Sequence, residues 1–200
     1  VEVQTKAYLE EIEGTKVLHL KGSPYEMGYQ RGVLLGDPVR LSAAKFDEML
    51  DMAKREMGLP KTAAYLILDT VYALCAPHIP DRYKRELEGI ADGAGVSLQM
   101  LRRGQVISVV TERGCSSFAA FGKATADGKL YQSRNFDWIT DAGIQQSAVL
   151  CCYEPDGYAP FVTVGYAAFI GALSGMNMEG MSIAQIGATT KERSFRGIPL

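Results

Sequence analysis

An excess of charge of either sign is missing from this sequence. Lysine and arginine number 21 against 23 aspartates and glutamates, a net of 21 − 23 = −2, and the charges are mixed along the chain. Nucleic-acid binders carry a basic stripe, so that class is disfavoured. Long apolar runs are missing too. None approaches the roughly 20 residues that span a bilayer, and the opening VEVQTKAYLEEIEGTKVLHL lacks the regions of a signal peptide. No membrane span is expected. The chain opens on Val1, which fits a cytoplasmic protein and one exported after losing a leader equally well. Cysteine is scarce, at 75, 115, 151 and 152, without the C-x-x-C pairs that build a zinc site, so no metal is expected. Cys151 and Cys152 are adjacent on an expected strand, point to opposite faces and cannot readily bond to each other. Histidine is scarcer still, with only His19 and His78 available as imidazole bases.

What is present is the composition of a globular domain, 47% hydrophobic. In GSPYEMGYQRGVLLG, Ser23 is a natural N-cap, Pro24 suits the first helical position and Glu26 completes a capping box, so a helix starts at Pro24. The spaced glycines of that stretch follow no strand of a dinucleotide-binding pattern. From Pro38 to Met57, Val39, Ala43, Phe46, Leu50, Ala53 and Met57 recur every three or four residues, which predicts an amphipathic helix ending at Gly58. Further helices are expected over 62–74, over 81–91, and from the Ser97 cap through LQMLRRGQVISVV. His19 falls in KVLHLKG, a strand near the N-terminus.

Past Gly114 the pattern changes to strands. CSSFAAFGKAT and KLYQSRNFDW flank an Ala126-Asp127-Gly128 turn, SAVLCCYE and APFVTVGYA flank PDG, and a third hairpin covers 170–188. Every link is hairpin-like, which predicts a largely antiparallel sheet in an α+β protein. Residues 1–114 then form a helical segment and 115–200 a β segment. Three hairpins are too few to close a core covered on both faces, so more chain is expected past Leu200.

Cys115 stands at that boundary. A thiol nucleophile needs a base, and neither histidine is drawn to it by the sequence. Cleavage of the Gly114–Cys115 bond would supply another: the freed α-amine, with an ordinary pKa of about 7.7–8.0, can serve its own thiol. Glycine before the cysteine leaves that carbonyl open to attack and tolerates unusual backbone angles.

RGCSSFAAFGKATADGKLYQSRNFDW resembles the segment around the nucleophile of the N-terminal nucleophile hydrolases, particularly the penicillin acyltransferase-like family of autoproteolytic acyltransferases and amidases. GSPYEMGYQRG resembles the N-terminal helix motif of that family. The resemblance implies a four-layer αββα sandwich, with 1–114 as the α chain and 115–200 as the start of the β chain, associated after cleavage. It implies that Cys115 is the nucleophile, that Asp137 of the Arg134-Asn135-Phe136-Asp137 motif holds the freed amine, and that Arg134 lies beside the sulfur. Asn177 of GMNMEGMSIA matches an asparagine with a substrate or oxyanion role, and is equally explained as a turn former. No match to the family's further oxyanion asparagine occurs before Leu200.

The implied activity is hydrolysis of a small N-acyl amide, or acyl transfer through a cysteine acyl-enzyme, without cofactor. An acyl-coenzyme A thioester enters as substrate in the transferase case. Phe118, Phe121, Phe136, Trp138 and Phe169 are candidates for an acyl pocket or for core, and Ser116 and Ser117 for proton transfer or filler. Two other readings stay open: a cysteine–histidine enzyme using His78 without self-cleavage, and a non-catalytic α+β module binding an acylated ligand or a protein.

Overall fold

The computed structural model describes residues 7–107, 114–137, 143–187 and 194–199, without the side chains at 52, 53, 56 and 57 of the second helix. Trp138, the expected helix beyond 107, and the Ala53 and Met57 side chains lie outside the described residues. A hairpin, β1 (Tyr8–Ile12) and β2 (Thr15–Gly22), opens the fold. Five helices follow: α1 (Pro24–Leu34), α2 (Gly36–Met57), α3 (Lys61–Cys75), α4 (Asp81–Ala94) and α5 (Leu98–Gln105). Then come β3 (Cys115–Ala120), β4 (Tyr131–Phe136), β5 (Ala148–Pro155), β6 (Phe161–Tyr166), β7 (Ser174–Asn177) and β8 (Ser182–Ala184). None of the described helices is long and apolar enough to cross a membrane.

The capping box forms as the sequence predicts. Ser23 Oγ accepts from the Glu26 amide, and the Glu26 carboxylate accepts from the Ser23 amide at 2.9 Å. The Ser23 hydroxyl and amide hold the Glu26 carboxyl below its ordinary range. Gly58 and Gly95 close α2 and α4 in the left-handed region that glycine reaches without strain.

The sheet departs from the all-hairpin expectation at one seam. Six strands run in the order β1-β2-β5-β6-β7-β8, antiparallel except where β2 lies parallel to β5, with Val17 opposite Leu150 and Leu20 opposite Tyr153. A parallel pair needs a crossover, and here the crossover holds all five helices and the β3–β4 hairpin. The first 114 residues are thus more than a helical segment, because β2 is an inner strand of the sheet.

Alternation along the strands sets the two faces. Leu18 and Leu20 of β2 and Val149, Cys151 and Tyr153 of β5 pack against Met27 of α1, Leu87 and Ile90 of α4, and Leu35 and Val39 at the start of α2. A second cluster, Leu50, Leu68, Val71, Cys75 and Val106, joins α2, α3 and α5. The β3–β4 hairpin forms a separate two-stranded sheet and rests on the other face. Phe136 meets Tyr166, and Ser182 donates to Gln132 at 2.6 Å; register puts Tyr166 and Ser182 on the face away from the helices.

Two devices fix α1. Gly28 and Gly32 face Gly89 and Gly93 of α4 so closely that a Cβ at Gly28 would lie 2.0 Å from the Glu86 carbonyl oxygen, and one at Gly89 2.2 Å from that of Tyr25. Only glycine lets the backbones meet. In addition Arg31, 2% exposed, donates from Nε to Ala167 O, from Nη1 to Tyr153 OH, and from Nη2 to Tyr166 O and Phe169 O. Tyr153 OH donates to Glu86 Oε1 at 3.1 Å, and that carboxylate lies 3.9 Å from Arg31. Burial pulls the guanidinium toward neutrality, but Tyr153, Cys151 and Glu86 more than offset it, and Arg31 stays protonated. Burial pushes the Glu86 carboxyl up, with Arg31 opposing.

Replacing Gly28 with alanine drives a methyl group into rigid backbone, so Gly28→Ala should lose about 3 kcal/mol in a denaturant titration, against about 1 kcal/mol for Ser23→Ala at the cap. A second test concerns acid. Arg103 donates to both Asp69 oxygens, at 2.7 and 2.8 Å, and Gln99 adds a third bond, which holds the Asp69 carboxyl below its ordinary range. Its folded pKa is below the unfolded one, so its contribution is present above about pH 4 and is lost as pH falls through the folded value. Asp69→Asn should therefore destabilise at neutral pH and narrow its gap from the parent protein below that point.

Candidate active site

The site is built by the register of one hairpin. β3 and β4 pair with Cys115 opposite Phe136 and Ser117 opposite Arg134, so Cys115, Ser117, Arg134 and Phe136 share a face. That face looks toward the large sheet, and Cys115 is half-buried there. Arg134 Nη2 donates to Cys115 Sγ at 3.2 Å. The guanidinium is itself held: Nε donates to the main-chain oxygen of Gln185 at 2.9 Å, Nη2 lies 3.5 Å from Gln185 Oε1, and the group stands 4.9 Å from the centre of the Phe136 ring. A fixed cation at a sulfur stabilises the negative charge that the sulfur carries as a nucleophile.

The ladder continues one step past the strands. The Asp137 amide donates to the Gly114 carbonyl oxygen at 3.2 Å, and a Cβ added at Gly114 would meet Asp137 Oδ2 at 3.0 Å. Gly114 is outside the left-handed region, so its place here reflects room for the carboxylate rather than an unusual backbone angle. One peptide bond, Gly114–Cys115, thus has a thiol on its C-terminal residue, a carboxylate against its N-terminal residue, and an N–H donor on its carbonyl.

Asn177 is placed elsewhere. Its Oδ1 accepts from the amides of Glu179 and Met181, at 3.1 and 2.9 Å, and Gly180 completes the turn with φ at +83°. Arg134 reaches β8 at its far end, beyond Ala184, whereas Asn177 is at the Met181 end; the three residue steps from Ser174 to Asn177 span roughly 10 Å. The role visible for Asn177 is turn formation.

The other cysteines and the histidines are differently occupied. Burial pushes the thiols of Cys75, Cys151 and Cys152 up, and all four cysteines are free. His19 stacks on Tyr8 at 4.1 Å and hydrogen-bonds Glu10 at 2.9 Å, while His78 is exposed in the 3-10 turn Ala76–His78. Phe118 and Phe121 are exposed, Phe118 on the hairpin face opposite Cys115, and Phe169 supplies a carbonyl to Arg31. Ser117 donates to Ser133 O and Ser116 accepts from Asn135, both within the hairpin.

Sequence reasoning missed Gln185. Nothing in SIAQIG marks it, because its contribution is chiefly a main-chain oxygen brought to Arg134 by sheet packing.

No protein-family model matches the chain. It is similar to protein dcd1B of Dictyostelium discoideum, 33% identical over 177 residues that cover 80% of this chain and 35% of that protein. It is also similar to an uncharacterized protein of Archaeoglobus fulgidus, 27% identical over 207 aligned residues (91% of this chain, 34% of that protein), and to protein dcd1A of Dictyostelium discoideum, 26% identical over 182 residues (80% and 41%). The chain spans between a third and about two-fifths of the length of these relatives.

The geometry predicts which thiol reacts first and what sustains it. Iodoacetamide should label Cys115 ahead of buried Cys75 and Cys151, and Arg134→Gln should slow that labelling about tenfold while leaving Cys152 unchanged, as read by peptide mass mapping.

Proposed function

We propose that the chain carries the nucleophile of an N-terminal nucleophile hydrolase that activates itself by cutting the Gly114–Cys115 bond and then cleaves small N-acyl amides. The observation that carries this reading is the set of groups around that one bond: Arg134 at the sulfur, and Asp137 at Gly114 through both its amide and its carboxylate.

The first reaction is internal. Cys115 Sγ adds to the Gly114 carbonyl carbon, and the oxyanion that forms is met by the Asp137 N–H, already directed at that oxygen. Collapse breaks the C–N bond, the departing amine takes a proton, and a thioester joins the Gly114 carbonyl to the Cys115 sulfur. Water cleaves the thioester to a Gly114 carboxylate, a free thiol and a free α-amine. The Asp137 carboxylate is within reach to orient that amine, and Arg134 donates to the sulfur.

Turnover repeats the chemistry on a substrate. The amine takes the thiol proton as sulfur attacks an acyl carbonyl, the leaving amine departs protonated, and the acyl-enzyme passes its acyl group to water. No cofactor is invoked, and an amine acceptor with an acyl-coenzyme A donor would turn the same steps into acyl transfer. On this reading the helices, the six-stranded sheet and the β3–β4 hairpin would be three layers of a four-layer αββα sandwich. The two segments would stay associated after the cut, because β2 pairs with β5 and Arg31 bonds three carbonyls between 166 and 169.

Intact-mass measurement on the full-length protein tests the proposal. The expected result is scission between 114 and 115, with both pieces co-eluting under native conditions and separating in denaturant. Cys115→Ala should leave the chain whole and without amidase activity. A mature protein that is unbroken there and hydrolyses N-acyl amides equally well as Cys115→Ala overturns it.

A further inference from the structure

A cavity of about 390 Å³ lies on the helical side of the six-stranded sheet, between the start of α1, α4 and β5 to β8. Its size suits a small molecule. Met27, Phe161, Met181 and Ile183 line it, and thioether and aromatic walls adapt to a flexible chain. Glu86 and Tyr153 also line it, but are engaged with each other and with Arg31. Asp156 is the remaining carboxylate; the pKa of nearby Lys21 is raised chiefly by its bond to Glu154 and only slightly by Asp156.

Arg82 is the one cation among the lining residues. Its neighbours on α4 are neutralised, Lys84 by Asp81 and Arg85 by Glu88. Arg82 has no ion-pair partner among the described residues. Instead its guanidinium is held over the rings of Tyr83 and Tyr158, at 4.8 and 5.2 Å, and donates to Tyr83 OH at 3.0 Å. Stacking fixes a planar donor fork without cancelling its charge, which suits it to a carboxylate.

We infer that this cavity binds an amphipathic carboxylate, with its aliphatic chain among Met27, Phe161, Met181 and Ile183 and its carboxylate on Arg82. Register puts the cavity walls of β5 and β6, Tyr153 and Phe161, on the sheet face opposite the Cys115 hairpin, so the site is separate from the thiol and independent of self-cleavage.

Calorimetric titration of decanoate into the full chain carrying Cys115→Ser tests it, beside decanol and decylamine of equal chain length. Decanoate should bind tightest, Arg82→Gln should weaken it about tenfold while leaving decanol unchanged, and Ala172→Trp, which fills the cavity, should remove both. Met181→Trp at the exposed rim gives the same test if Ala172→Trp does not fold. No decanoate binding, affinity equal to that of decanol, indifference to Arg82→Gln, or binding that survives the filled cavity overturns the inference.

Discussion

The buried guanidinium of Arg31 ties the fold together. Taking a charge out of water costs several kcal/mol, and only a full set of partners makes that tolerable. Arg31 has four hydrogen bonds and a nearby carboxylate, drawn from β5, from the end of β6 and the segment after it, and from α4. None of those groups can move far without leaving the charge unmet, so the helical layer and the sheet are held in one relation. The glycine contacts of α1 and α4 make this geometry attainable, since Arg31 lies between Gly28 and Gly32 on a helix pressed against its neighbour.

From that anchor the thiol is a short distance away in connectivity. The main-chain oxygen of Tyr166 accepts from Arg31 on one side of the sheet, and the Tyr166 ring receives Phe136 on the other. Phe136 is the register partner of Cys115, and Arg134, two residues before it, is pinned by Gln185 just past β8. The Cys115 thiol is thus oriented by contacts from two sheets, whereas the 390 Å³ cavity belongs to the helical side.

Local features were legible in the chain. The capping box at Ser23 and Glu26, the glycine stop of α2, and the three hairpins after Gly114 all rest on short-range chemistry. The pairing of β2 with β5 was not, because it joins residues separated by the whole helical segment, and no turn advertises it. The glycines of GYQRG read as a motif, yet their physical use depends on a partner pair, Gly89 and Gly93, far along the sequence. The grouping of Cys115 with Arg134 followed from hairpin topology; the role of Gln185 did not.

The sequence by itself determined the start of α1 at its capping box, the stop of α2 at Gly58, the hairpins after Gly114 and which residues flank the Gly114–Cys115 bond, because caps, turns and strand alternation act over a few residues. Only the tertiary structure decided that Arg31 is a buried hub, that Arg134 is held by Gln185, that Asn177 is spent on a turn, and that Arg82 stacks on Tyr83 and Tyr158 beside a cavity. Those outcomes depend on which distant surfaces meet and which charges they cover, and that is settled when the layers pack.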